Sequence, residues 1–143
     1  MRIAKVFLFA AAMFITGCAV KGDPIEITKA CVVDNDGKNF EVKGVLSQRG
    51  SVFCSNTGGR MECGFNLLEK QGSENKLRVD IEQGSGANTV DKLESGYKKE
   101  DIKFRDNSGN QIALDTDPVK LTGKISVSPD AQACFMQVYK IEK

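Results

Sequence analysis

Ser51-Val-Phe-Cys-Ser-Asn-Thr-Gly-Gly-Arg-Met-Glu-Cys-Gly-Phe65 decides the fold of this chain. Gly58 and Gly59 sit at its centre, and a two-residue hairpin loop needs the positive-φ backbone that glycine adopts without strain. Counting outward sets Thr57 opposite Arg60, Asn56 opposite Met61, Ser55 opposite Glu62 and Cys54 opposite Cys63. Thr57 and Arg60 close the turn as a hydrogen-bonded pair. Alternation makes Cys54 and Cys63 a non-hydrogen-bonded pair, whose closer side chains suit a cross-strand bridge. Val52, Met61, Phe65 and Leu67 share that face, which is apolar.

Working outward, the chain reads as strands broken by turns. Leu77, Val79 and Ile81 alternate with Lys76, Arg78, Asp80 and Glu82, the pattern of a half-buried strand. Gln83 to Ala87 is a loop. Thr89 is placed to cap a short helix over Val90 to Ser95, with Val90, Leu93 and Tyr97 at helical spacing and Gly96 at its end. Phe104 and Ile112 flank Asn107-Ser108-Gly109, which suits a loop with its glycine left-handed. Val119, Leu121, Ile125 and Val127 alternate, with Gly123 at a bend or bulge. Pro129-Asp130 turns the chain into a last strand, Cys134 to Ile141. Upstream, Ile25, Ile27, Cys31 and Val33 alternate, with Lys29 out of pattern, and Phe40, Val42 and Leu46 follow with Gly44 between. Asp36-Gly37 reads as a hairpin turn that sets Val33 opposite Phe40 and Cys31 opposite Val42. No repeat, low-complexity segment or second domain is evident.

The start of the chain has a different character. Arg2 and Lys5 precede a ten-residue apolar run, Val6 to Ile15, which ends in Thr16-Gly17-Cys18. Charged start, apolar stretch and small residues at the cut make a secretory signal. A membrane-spanning helix needs roughly 20 residues, so the run is too short to span. Ile15-Thr16-Gly17-Cys18 resembles the lipobox of bacterial lipoproteins. The resemblance implies that residues 1–17 are removed, that Cys18 carries a diacylglyceryl thioether, and that its amine is acylated, with palmitate as the expected acyl group. Several acyl chains on one residue anchor stably where one does not. Ala19 and Val20 carry no Asp, the residue that retains such lipoproteins of Gram-negative bacteria at the inner membrane, so the outer membrane, facing the periplasm, is favoured. The expected division is 1–17 signal peptide, 18–24 lipidated N-terminus and tether, and 25–143 one β domain.

Removal of the leader leaves 126 residues with 18 basic and 19 acidic side chains, a net charge of −1. Nothing in that balance provides the electrostatic footprint of a nucleic-acid or anionic-lipid binder. Histidine and tryptophan are absent, which removes the commonest general base and metal ligand. Four cysteines follow Cys18. An even number in an exported chain reads as two disulfides. Register pairs Cys54 with Cys63, and elimination pairs Cys31 with Cys134.

The order of elements, a strand run with one short helix before the last strands, matches β-β-β-α-β-β. Ile102-Lys-Phe-Arg-Asp-Asn-Ser-Gly-Asn-Gln-Ile112 resembles the aromatic-x-Asp-x-x-Gly hairpin of OB-fold proteins. Val119-Lys-Leu-Thr-Gly-Lys-Ile125 resembles the strand that follows it, and Val138-Tyr-Lys-Ile141 the closing strand. The similarity is to bacterial OB-fold families exported to the periplasm. It implies a mainly β fold, a small, partly open OB-like barrel with one short helix. The extra strand at Ile25 to Val33 and the disulfide hairpin depart from that pattern, and a β-sandwich is the alternative.

No catalytic motif survives inspection. Asp34-Asn35-Asp36-Gly37 fails as a calcium loop, because its first and twelfth ligands would be Val32 and Lys43. Ser95-Gly96-Tyr97-Lys98 has the Ser-x-x-Lys spacing without its partner motifs. Gln83-Gly84-Ser85-Gly86 lacks the Gly-Lys-Ser/Thr of a phosphate loop. Carboxylate chemistry needs no local signature, and its candidates are Asp101, Asp106, Asp115 and Asp117 around one expected hairpin. Phe53 and Tyr139 are the outward-facing aromatics. The expectation is a non-catalytic binding module with no cofactor and no metal. It meets the membrane through its anchor and an envelope protein or glycan as partner, with nucleic acid excluded by export and charge. A small envelope enzyme or accessory factor is the alternative.

Overall fold

The computed structural model describes residues 19–48 and 50–143. The elements are β1 (Asp23–Pro24), α1 (Ile27–Ala30), β2 (Asn39–Ser47), β3 (Cys54–Thr57), β4 (Arg60–Leu68), β5 (Lys76–Glu82), β6 (Thr89–Val90), β7 (Phe104–Arg105), β8 (Gln111–Ile112), β9 (Pro118–Val127) and β10 (Cys134–Glu142). Single turns of 3-10 helix lie at Val33–Asn35 and Lys99–Asp101.

Strand β2 does two jobs. Over Asn39–Val45 it pairs antiparallel with β9, and over Val45–Ser47 with β4. The change of partner requires a bend, and Gly44 sits at it: a Cβ there would lie 2.3 Å from the Leu68 carbonyl oxygen. A strand glycine that admits another backbone this closely is the usual mark of a barrel corner. The ring continues β4–β5 antiparallel, β5–β10 parallel and β10–β9 antiparallel. Five strands, β2-β4-β5-β10-β9, therefore close on themselves into a small OB-like barrel. The closure is complete where the sequence suggested a partly open ring, and it leaves no pair of facing sheets for a sandwich.

Alternation fills the barrel. Val42, Leu46, Leu67, Val79, Ile81, Leu121, Ile125, Met136 and Ile141 all point inward and are fully buried. The two ends are plugged from opposite directions. At one end the small sheet β6-β7-β8 delivers Val90, Phe104 and Ile112. The ring of Phe104 meets Phe65 edge-on at 4.7 Å. Asn107 N–H donates to the Ile141 carbonyl, 2.7 Å, and Asp115 N–H to that of Leu46, 2.7 Å. At the other end α1 inserts Ile27 and Ala30. The Cys31–Cys134 disulfide, with Cα atoms 5.7 Å apart, ties this plug to the start of β10. Asp36 Oδ1 accepts from Val127 N–H, 2.9 Å.

Two expected elements are corrected. Ile25 to Val33 is not a strand. Its buried residues are Ile27 and Ala30, a helical i, i+3 pair, while Val32 and Val33 are exposed. The Asn35 amide donates to the carbonyls of Lys29 and Ala30, 3.0 and 3.1 Å, satisfying the end of the helical turn. Gly37 therefore turns from a 3-10 helix into β2, and Val33 does not face Phe40. Nor is Val90 to Ser95 a helix; the one α-helix among the described residues is α1. The Thr89 hydroxyl donates to the Gly86 carbonyl, 2.6 Å, and lies near that of Gly84, so it caps nothing. Val90 pairs with Phe104 in a strand, and Asp91 is held by the Arg105 guanidinium.

Candidate functional site

The interior is filled by side chains, so a candidate site is sought on the outside of the barrel. Inward Cys63, Phe65 and Leu67 on β4 leave Glu62, Gly64 and Asn66 facing outward, and inward Leu77, Val79 and Ile81 on β5 leave Arg78, Asp80 and Glu82. Register places Asn66 beside Arg78 and Gly64 beside Asp80. The parallel pairing with β10 adds Phe135 beside Arg78 and Gln137 beside Asp80.

Gly64 shapes this face. A Cβ on it would stand 2.8 Å from Arg78 Nη2 and 3.3 Å from Cζ, so the guanidinium lies against bare backbone. From there Arg78 Nε reaches Asp80 Oδ1 at 3.4 Å. A depression of about 180 Å³ opens over Arg78, bounded by Gln48, Ser51, Phe53, Gly64 and Asn66. A second, of about 420 Å³, continues on the other side of Arg78 past Asp80 to Gln132 and Phe135.

Phe53 is the most exposed large hydrophobic residue among those described, at 69%, yet its backbone is tightly held. Gly64 N–H donates to its carbonyl, 2.9 Å. The preceding Val52 N–H donates to Tyr97 Oη, 2.7 Å. The following residue, Cys54, is bonded to Cys63, with Cα atoms 4.0 Å apart. The hairpin has the register counted from Gly58-Gly59, although Met61 is more exposed than its place on the apolar face suggested.

Charges fill the rest of the face. Glu62 is buried. Its carboxylate accepts from Gln137 Nε2, 2.8 Å, and pairs with Arg60 at 3.6 Å, while Arg60 also reaches Glu82 at 3.7 Å. Burial pushes the Asp80 carboxyl above its ordinary value; Arg78 opposes that shift and the nearby Glu62 charge adds to it. A perturbed carboxyl in a surface depression is a functional candidate. Tyr139, half-buried, donates to Gln137 at 3.4 Å on the same side of β10.

The sequence-derived candidates fall as follows. Cys18 lies outside the described residues. Asp101 accepts from Lys98 N–H, 2.8 Å, at the start of a 3-10 turn. Asp106 accepts from Ser108 and Asn110 N–H, 2.9 and 2.8 Å, inside the β7–β8 turn. Asp115 is engaged by Lys99. Asp117 accepts from Ala113 N–H, 2.8 Å, and pairs with Lys143, also 2.8 Å. Each carboxylate serves its own turn or ion pair. Sequence reasoning missed Arg78, Asp80 and Glu62, which stood out only as the polar half of alternating strands; the unexplained signal was Gly64 within a strand.

A larger hollow, about 550 Å³, lies beside β1, between Pro24, Ile25, Ile27 and Glu41, Lys43, Lys120. Lys120 there is paired with Glu41 and Glu142 at 3.6 and 3.2 Å, and among the described residues no aromatic side chain lines the hollow. The Phe53–Arg78 face is the better candidate. No protein-family model matches the chain, and no curated protein and no solved structure matches it.

Proposed function

We propose that this chain is a bacterial envelope lipoprotein, anchored through acylated Cys18, whose barrel acts as a non-catalytic binding module through the face around Phe53 and Arg78. The observation that carries the binding reading is Phe53: an apolar ring left in water although the backbone on both sides of it is fixed. A ring that is held still loses little entropy on capture, and this one stands at the edge of a depression lined by Arg78, Asn66, Ser51 and Gln48. The position agrees with OB barrels in general, which bind ligands over the second and third strands of the ring and the adjoining loops. That agreement is an analogy of fold alone. The anchor rests on the leader residues and the Thr16-Gly17-Cys18 ending.

Two measurements test the reading. Mass spectrometry of protein recovered from membranes is expected to show residues 1–17 gone and acyl mass on Cys18; an unmodified N-terminus at any other residue removes the anchor. Affinity capture from solubilised envelope, with Cys18→Ser as the control for anchoring, is expected to retain a partner that Phe53→Ala and Arg78→Ala lose. The alternative, an envelope enzyme working through carboxylates, draws on Asp80 beside Glu62. It is favoured if Asp80→Asn abolishes an envelope phenotype while partner capture persists.

A further inference from the structure

We infer that the outer edge of β3 pairs antiparallel with the same edge of a second copy of this chain, joining two barrels into a weak two-fold dimer. The inference goes beyond the binding-module reading and does not depend on it. Three observations carry it.

The first is what the edge offers. The main sheet ends on β1 at one side and on β3 at the other. The β1 edge is guarded by Asp23 and Pro24, a charge and a residue with no N–H to donate. β3, Cys54-Ser-Asn-Thr57, has neither charge nor proline, and its register with β4 runs without a bulge. Among the described residues only β4 pairs with it. Thr57 and Ser55 turn their backbone groups toward Arg60 and Glu62 of β4, and Phe53 continues the pattern, its carbonyl accepting from Gly64 N–H at 2.9 Å. Alternation then points the N–H and the carbonyl of Cys54 and of Asn56 the other way, out of the sheet edge.

The second is register. Upstream, the next outward N–H is that of Val52, and Tyr97 Oη accepts from it at 2.7 Å. Downstream, Gly58 and Gly59 leave the extended conformation, with φ of 60° and 85°. The open groups are therefore confined to Cys54 and Asn56. One antiparallel arrangement uses all of them: Cys54 opposite Asn56 of the second copy, Asn56 opposite its Cys54, and Ser55 facing Ser55 on the two-fold axis. Such an interface is isologous and closes at two copies.

The third is side-chain complementarity in that register. Phe53 falls opposite Thr57 of the second copy. This is an aromatic–β-branched cross-strand pair, a stabilising kind, and symmetry supplies it twice. It gives a neighbour to a ring that is 69% exposed in the single chain. No like charges meet: Arg60 and Glu62 lie one strand further out and are paired with each other at 3.6 Å. The contact is far smaller than the roughly 800 Å² per partner of a standard interface, so the expected dissociation constant is about 0.1–1 mM.

The test uses the mature chain, residues 18–143, with Cys18→Ser, so that neither lipid nor a free thiol links two copies. Sedimentation equilibrium up to about 2 mM protein, above the expected dissociation constant, should show the mass rising from one chain toward two. Amide NMR over the same range should show shifts centred on Phe53 to Thr57. Ser55→Lys puts two like charges on the axis and is expected to leave only monomer, with the rest of the spectrum native because Ser55 is exposed. An equimolar mixture of Ser55→Lys and Ser55→Glu is expected to restore the dimer, since opposite charges then meet; a variant that had only damaged the hairpin would not be rescued. Phe53→Ala is expected to raise the dissociation constant about tenfold. Ser55→Lys should keep the envelope capture that Arg78→Ala loses, so failure of the dimer and failure of the binding-module reading are told apart. A single-chain mass throughout overturns the dimer. So do shifts confined to another surface, self-association that Ser55→Lys leaves intact, or a charge-swapped mixture that stays monomeric. Shifts at Cys54 and Asn56 that arise only on addition of solubilised envelope protein would assign the edge to a different chain and likewise overturn the second copy.

Discussion

Asp80 and Asp106 sit in one small barrel with their acidities displaced in opposite directions, and the difference lies in what surrounds each carboxylate. Burial opposes ionisation at both. At Asp106 the N–H groups of Asn110 and Ser108, with the Asn110 amide, outweigh that opposition and hold the carboxyl below its ordinary range. At Asp80 the contact with Arg78 does not outweigh it, and the Glu62 charge adds to it. Linkage turns these directions into opposite pH dependences. Asp106 contributes stability that is present above the ordinary carboxyl value of 3.8 and is lost as pH falls through its lower folded value. Asp106→Asn is therefore expected to lower the thermal midpoint at pH 7, with the gap to wild type closing as the pH drops below about 4. Asp80 favours the fold most when protonated, fully so below 3.8, and that contribution fades as pH rises through its raised folded value. Asp80→Asn is expected to raise the midpoint at pH 7 and to match wild type near pH 3, the reverse trend. Melts of both variants from pH 3 to 7 check the pair; parallel curves for the two would contradict the assignment.

At the scale of elements, glycines decide where the strands can turn. Gly123 on β9 lies so close to β10 that a Cβ would stand 2.1 Å from the Gln137 carbonyl oxygen. Directly beside it the register slips, with Val138 paired to Gly123 and Lys140 to Thr122, so that Tyr139 bulges outward. Gly123→Ala is expected to destabilise by about 3 kcal/mol or more, since the obstacle is backbone and cannot rotate away. Gly86→Ala, with nothing within 4 Å, is the neutral control; urea unfolding of the two variants checks the contrast. The same scale shows how much was legible beforehand. The hairpin about Gly58-Gly59, the β7–β8 turn and the strands β5, β9 and β10 follow from period-two alternation and turn residues, which are local signals. Ile25 to Val33 misled because Ala30, its fully buried residue, is too small to register in an apolar pattern, and because the amide that ends the helical turn, Asn35, lies beyond it. Thr89 misled because a threonine before an apolar residue reads as a cap whether its hydroxyl accepts from a helix or, as here, donates to a loop. The Phe53–Arg78 face was half legible. Phe53 stood out as an outward aromatic, but Arg78 meets Phe135 only through the parallel β5–β10 pairing, a contact across more than fifty positions that no local pattern encodes.

For the molecule as a whole, the two disulfides close loops of very different length, 9 and 103 positions, and they do different work. The barrel is a ring, so its strands restrain one another. The plug at the start of β10 has no such support: α1 is four residues long, far below the length at which a helix holds itself in water. What keeps it in place is the burial of Ile27 and Ala30, the backbone pairing of β1 and Ile25 with β2 before it and of Gly37 and Lys38 with Ile125 after it, the Asp36 contact to β9 and the Cys31–Cys134 bond. Loop-closure entropy assigns about 4.7 kcal/mol to a bridge across roughly 100 residues and about 2.5 kcal/mol to one across nine. The short bridge also acts where a two-glycine turn and strand pairing already hold the register, which leaves it less to contribute. Cys31→Ser with Cys134→Ser is therefore expected to move the urea midpoint well below that of wild type, and Cys54→Ser with Cys63→Ser by half as much or less. The entropic effect acts on the unfolded chain, so circular dichroism of both variants in the absence of urea should keep the β signature. The hairpin variant should be distinguished instead by its face: with Cys54 released, Phe53 loses one of its three restraints, and ligand capture weakens more than stability does. A hairpin variant that loses as much stability as the long-bridge variant, or a long-bridge variant that leaves the midpoint unmoved, would mean that the ring rather than the plug limits the stability of the fold.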